Sequence, residues 1–165
     1  MNDSINEPRI VHAPARILAG LHIRQTTRTD QTVKLWQQFG PRIPLFHNRI
    51  GGELFSVQII DRGVSFSDFD LDTPFGKWAA VQVQDEKVPS DIDILHVPAG
   101  MYAVFMYLGL PQGIHAFLTE IFTQWMPAYG YQFDFRPQFE IMPPNYSPTN
   151  PDAQEEVWIP ITTLT

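Results

Sequence analysis

The side chain whose surroundings most call for a chemical explanation is Glu140, which stands in the run Phe139-Glu-Ile-Met142. After Lys87 the sequence has one basic residue, Arg136, so this carboxylate has almost no local cation to pair with. A buried acid is costly unless it is paired, protonated or kept for an incoming positive group. The second half also holds Phe105, Tyr107, Trp125, Phe139 and Trp158, within an aromatic content of 13%. Their plain role is core packing. A carboxylate among such rings can also hold a desolvated cation, through charge attraction plus cation–π contacts of ~0.5–2 kcal/mol per ring. The competing reading of Glu140 is a structural salt bridge to Arg136, or to Arg16, Arg24 or Arg49 from the first half. Both fit the spacing. A further use is as general base on water, with Tyr107 or Tyr102 as acid partner and the raised pKa that an apolar pocket gives a carboxylate.

Other chemistries find less support. His12, His22, His47, His96 and His115 lack the i, i+4 pairing or carboxylate spacing of a metal site, so structural or exposed roles are expected and no metal or cofactor is implied. Asp68, Asp70 and Asp72 alternate but lack the glycine and terminal Glu of a calcium loop, which leaves a solvated acidic connection. There is no G-x-S-x-G, Walker A or G-x-G-x-x-G sequence, and Gly51-Gly52 reads as turn chemistry. Without cysteine there is no disulfide, thiolate nucleophile or thiolate metal site.

Charge narrows the partners. From Ile94 to Thr165 six acids face Arg136 alone, a net of −5, whereas the first 93 residues sum to −2. This acidity argues against a nucleic-acid backbone as direct partner. The N-terminus lacks the basic start and apolar core of a secretory signal, so a cytoplasmic location is expected. Ile94 to Thr119 contains no Lys, Arg, Asp or Glu, yet Pro98, Gly100, Gly109, Pro111 and Gly113 break it into pieces shorter than a bilayer needs. No membrane partner is expected.

The elements that must position these groups follow from periodicity. After a polar N-terminal arm, residues 1–14, the chain reads as one domain over 15–165, with Ala15 to Thr26 a half-buried strand in which Gly20 marks a bulge. Thr29 or Asp30 caps a helix running to Phe39, which Gly40-Pro41 stops. Ile43 to Gly52 reads as loop, and Leu54 to Asp61 and Trp78 to Val83 as strands. The order then repeats: strand Met101 to Leu108, a helix, strands Gln138 to Met142 and Glu156 to Ile161. That helix carries Ile114, Phe117, Leu118, Ile121, Phe122 and Trp125 as an apolar stripe, read as core packing. The two pseudo-repeats cover about 15–90 and 95–165.

Four ordered segments carry a family resemblance: PAGMYAVFMYLG (98–109), QWMPAYGYQF (124–133), QFEIM (138–142) and EEVWIPI (155–161). Together they resemble the GyrI-like effector-binding domains, which are similar to the ligand-sensing part of AraC-type and MerR-type multidrug-responsive regulators. The resemblance implies an α+β fold: a duplicated strand-helix-strand-strand unit forming a curved antiparallel sheet, with two helices on one side and a ligand cleft along the pseudo-twofold. It further implies an aromatic-lined pocket for lipophilic cationic small molecules. Glu140 matches the family's central acid and Trp158 a pocket ring, with Phe105 and Tyr107 as further lining. Trp78 and Phe55 are pseudo-symmetric candidates from the first half. No helix-turn-helix accompanies the domain in this sequence, so a stand-alone binder is expected, for sensing or sequestration. Some relatives inhibit DNA gyrase by contact, which would make a protein the partner, and a subset hydrolyse strained electrophilic toxins with the central Glu.

Overall fold

Alternating residues from Arg16 to Gln25 form a ten-residue strand, and eight further strands join it in one antiparallel, unclosed sheet in the computed structural model, which describes residues 7–164. In chain order the strands are β1 (Arg9–Ala13), β2 (Arg16–Gln25), β3 (Leu54–Ile59), β4 (Phe75–Gln82), β5 (Asp93–Val97), β6 (Gly100–Leu108), β7 (Tyr131–Phe133), β8 (Gln138–Met142) and β9 (Gln154–Thr163). Across the sheet they lie β1-β6-β9-β8-β3-β4-β2-β5, and β7 pairs with the far end of β9. Helix α1 (Thr32–Phe39) continues as a 3₁₀ turn over Gly40–Leu45. The second helical segment starts as a 3₁₀ turn at Pro111–Gly113, becomes α2 (Ile114–Glu120), loosens into a π turn over Ile121–Trp125 and ends as α3 (Met126–Ala128). This is the α+β architecture expected from the sequence.

The sheet order reads alike from either end. Arg9 pairs with Val104 as Asp93 pairs with Gly20, and at the centre Ser56 pairs with Glu140, so Ser56 is the first-half counterpart of that acid. Each half also begins with a strand that pairs in the other half: β1 lies on β6, and β5 on β2. The segment read as an arm therefore contributes β1, and β5 and β7 are strands that periodicity missed. They are too short, at five, five and three residues, for a clear alternation to show in the sequence, so long-range pairing decides them.

Three other expectations change. Gly20 sits in regular register without a bulge; a side chain there would run into the carbonyl of Ala79, so close backbone approach explains the glycine. Gly40-Pro41 does not stop the helical path. The prolines instead tighten it into a 3₁₀ turn where Ile43 reaches a core cluster, in place of the loop expected from Ile43. Neither Thr29 nor Asp30 is the N-cap: that position is Gln31, without a side-chain cap bond, and Asp30 Oδ1 accepts from the Thr32 backbone N–H at 2.9 Å in the turn that leads into the helix.

Strand alternation divides the core between the two faces of the sheet. Both helical segments cover one face: α1 packs Leu35 and Phe39 on Ala19, Ala79 and Val81, while the second segment packs Phe117 and Ile121 on Phe105, Val157 and Ile159. The other face carries Phe55, Val57, Trp78, Tyr102, Phe139 and Trp158. Val11 and Ala13 from one edge strand and Leu95 and Val97 from the other join that same cluster, so the sheet curves around it. We call it the inner face.

Candidate functional site

On the helix side the two apolar clusters leave a polar seam along the pseudo-twofold. Gln138, Gln58 and Lys77 are cross-strand neighbours on β8, β3 and β4. One step along, Glu140 stands beside Ser56 and Val157; one step further, Glu155 on β9 stands beside Tyr107 of β6. Register requires these side chains to share a face, because residues two apart in a strand point the same way.

A cleft of about 460 Å³ opens over the first step of the seam. Gln25, Gln58, Lys77 and Gln138 line its base. Its walls come from Phe66 and Phe69 in the β3–β4 connection, from Ile114, Leu118 and Phe122, and from Asp30 and Thr32 at the start of α1. Phe66 stacks on Phe122 with ring centroids 4.3 Å apart, which ties the connection to the helix. Phe122 and Thr123 stand in the π turn, a local widening that recurs at binding sites. The stripe expected to be core is thus divided: Phe117 and Ile121 are buried, while Ile114, Leu118 and Phe122 face the cleft. Likewise the acidic connection exposes Asp68, Asp70 and Asp72, with Asp72 held by Arg28 at 2.8 Å, but delivers Phe66 and Phe69 to the site.

Glu140 lies one step behind the cleft and is 4% exposed. Gln58 Nε2 donates to its Oε1 at 3.4 Å, and its Oε2 has no hydrogen-bond partner among the described residues. Burial raises its pKa, opposed by the charge of Lys77 and by the Gln58 bond. Glu155 is pushed up to about 8, by burial first and then by the neighbouring Glu140 charge. Tyr146, in the loop between β8 and β9, is raised to about 12 by burial and by the same two carboxylates. This is a buried acid pair with one cation beside it.

The arginine pairing does not form. Arg136 donates to Asp134 at 2.6 Å and to the Met101 carbonyl, Arg24 pairs with Asp61, Arg49 donates to the Gly52 and Glu53 carbonyls, and Arg16 to Gln82 at 2.9 Å. The cation that acts on Glu140 is Lys77, which the reading from sequence missed. Its place was visible only as one more alternating residue in Phe75-Gly-Lys-Trp78. Nor are the two tyrosines free acid partners. Tyr102 lies on the inner face and donates to the Pro137 carbonyl at 2.9 Å, while Tyr107 donates to the Leu110 carbonyl.

The six residues expected to form one pocket are separated by the sheet. Glu140, Phe105 and Tyr107 stand on the helix side, Trp158, Trp78 and Phe55 on the inner face, and none of the six borders the cleft. Phe105 is enclosed by Phe117 and Trp125. His22 stacks on Trp78 at 4.3 Å. Phe55, Phe139 and Trp158 do form an aromatic cage around a cation, but the cation belongs to the chain: the Arg16 guanidinium lies 5.6, 5.7 and 5.0 Å from their ring centres. Of the histidines, His115 reaches the cleft, and His22 and His96 contact Asp93 and Glu86. No group of three or more His, Asp or Glu side chains suited to a metal occurs among the described residues. No helix there is long and apolar enough to cross a membrane.

Residues 6–162 match the family model of the GyrI-like small molecule binding domain. Among solved structures the chain is similar to SAV2435 bound to tetraphenylphosphonium, at 17% identity and a TM-score of 0.72, with 95% of this chain and 94% of the other covered. It is similar to the EcmrR C-terminal domain at 12% identity and a TM-score of 0.71, covering 97% and 99%. A hydrolase encoded by lin2189 from Listeria innocua matches at 13% identity and a TM-score of 0.57, covering 98% and 94%. No curated protein matches the sequence. At these identities the structural matches carry the fold alone.

Proposed function

The chain belongs to the GyrI-like small molecule binding domain family, and from that premise we propose that it captures ring-bearing amphipathic small molecules in the cleft between its helical segments. The observation that carries this reading is the cleft itself: phenyl walls that accept a flat apolar body stand over a base of three amides and an ammonium group. Apolar walls supply most of the binding free energy and a few fixed polar groups orient the ligand, the usual division of labour in small-molecule sites. Phe66 and Phe122 take over the ring-stacking role first expected of Trp158, Trp78 and Phe55.

Two observations favour the expected lipophilic cation: the two carboxyls behind the base, and the similar fold that holds tetraphenylphosphonium. Lys77 on the cleft floor opposes it. Sensing or sequestration follows from capture without turnover, and both tyrosines considered as acid partners are already engaged in hydrogen bonds to carbonyls.

A panel of aromatic amphiphiles that are cationic, neutral or anionic tests the proposal by thermal shift, since a ligand bound only to the folded state raises Tm by mass action. We expect hits among ring-bearing compounds, and we expect Phe122→Ala to weaken them about tenfold, roughly 1.4 kcal/mol. Hits that bind Phe122→Ala unchanged would place the ligand elsewhere.

A further inference from the structure

The seam holds three ionisable groups in a row, and the central feature is which of them meets the ligand. Lys77 is 6% exposed, lies at the base of the cleft and stands directly across from Gln58 in the β3–β4 register. Glu140 is one step further back, screened from the cleft by Gln58, and does not form part of its wall. None of the salt bridges among the described residues includes Lys77, so its donors are not consumed by the acids it faces. Pseudo-symmetry sharpens the point. With Ser56 equivalent to Glu140, the position of Lys77 on β4 corresponds to that of Glu155 on β9, so one arm of the seam ends in a cation at the open cleft and the other in an acid beneath the β8–β9 loop.

We propose that Lys77 sets the charge class of the cleft: its charge acts on Glu140 without pairing to it, and the cleft selects lipophilic ligands with an anionic head, such as aromatic carboxylates, over lipophilic cations. This rests on the cleft being the ligand site. A ligand cation would meet the ammonium before Glu140 and Glu155 and be repelled at close range. An anionic head would accept from that ammonium and from the amide N–H₂ group of Gln138, which lines the same cleft, while the Gln25 amide already donates to Asp30 and Thr32. The other charged groups facing the site are Asp30 at the rim, whose Oδ1 already accepts from Gln25 and Thr32, and His115 on α2. The net charge of −7 disfavours anions at long range, but salt screens that field over about 8 Å while the ammonium acts by contact.

Tetraphenylborate and tetraphenylphosphonium test this, being close in size and shape and opposite in charge. Titration calorimetry on the full chain should show tighter binding of the borate. Lys77→Met should shift the borate-to-phosphonium affinity ratio at least tenfold toward the phosphonium, Lys77→Arg should keep the wild-type order, and Lys77→Met with Glu140→Gln should lose the cation preference again. A wild-type preference for the phosphonium, or a ratio that Lys77→Met leaves unchanged, overturns the assignment while leaving the cleft as a binding site. If neither ion binds and the amphiphile panel gives no hit, the site itself is refuted. Should Lys77→Met fail to fold, Lys77→Gln supplies the uncharged variant for the same ratio.

Discussion

The inner face of the sheet and the helix-side seam are made of similar parts, a basic side chain set among rings and hydrogen-bonding groups, and they end in opposite states. On the inner face Arg16 fills the cage of Phe55, Phe139 and Trp158, and the curvature of the sheet closes the site around it. On the helix side Lys77 stands over Glu140 and Glu155, and the two helical segments leave a gap of about 460 Å³ above it. The difference lies in what covers the groups. A guanidinium is planar and weakly hydrated and packs flat on rings, so a cage can shut on it; an ammonium keeps a stronger demand for water or acceptors. The inner cage is therefore closed on its own cation, while the seam keeps an open cleft above its own.

The largest expected effect that would break this contrast is on the cage. Trp158→Ala removes a ring that is 7% exposed and stacked on Phe139, and we expect a loss of about 3–5 kcal/mol in urea unfolding, with ligand affinity of the folded protein unchanged. An equal loss of ligand affinity would mean that the inner face, not the cleft, binds the ligand.

Next comes the pH response of the seam. Glu155 has its pKa raised from 4.5 to about 8 in the fold. Below pH 4.5 it is protonated folded and unfolded alike; between there and about pH 8 the unfolded chain ionises while the folded one holds its proton. Stability contributed by this group thus falls as pH rises, by at most about 1.4 kcal/mol per pH unit, and the loss levels off above pH 8. Glu155→Gln should flatten that slope in denaturation curves taken from pH 5 to 8. A slope that survives the substitution assigns it to another group.

The smallest effect is on the cation of the cage. Arg16→Met keeps much of the packing volume but gives up cation–π contact with three rings and the bond to Gln82, and we expect a loss of about 1–2 kcal/mol with the charge preference of the cleft unaltered. A changed borate-to-phosphonium ratio in this variant would couple the two faces and undo the division drawn here.

Much of the architecture was legible because it is written in local periodicity. Met101 to Leu108 and Gln138 to Met142 match observed strands nearly residue for residue, and the helix from Ile114 keeps its apolar stripe. β1 and β5 were not legible, because each is held by the opposite half and shows little of its own pattern. The site was legible in part. Glu140 stood out by its isolation in the sequence; it is buried across from Ser56, one step behind the cleft and not on its lining. Phe66 was hidden among the acids of a connection, and Phe122 within a stripe that reads equally well as core.

By itself, then, the sequence determined the alternation and stripes that make a two-part α+β sheet, the lone acid on its eighth strand, and a net acidity concentrated in the second half. Tertiary structure decided which side of the sheet each of those residues occupies. One residue of register reverses the face of a strand, so Trp158 and Glu140 can lie on neighbouring strands and still be separated by the full thickness of the sheet. It also decided the partner. Lys77 and Glu140 are far apart in the chain and act on one another only because β3 stands between their strands, and no rule of local spacing reports such a relation.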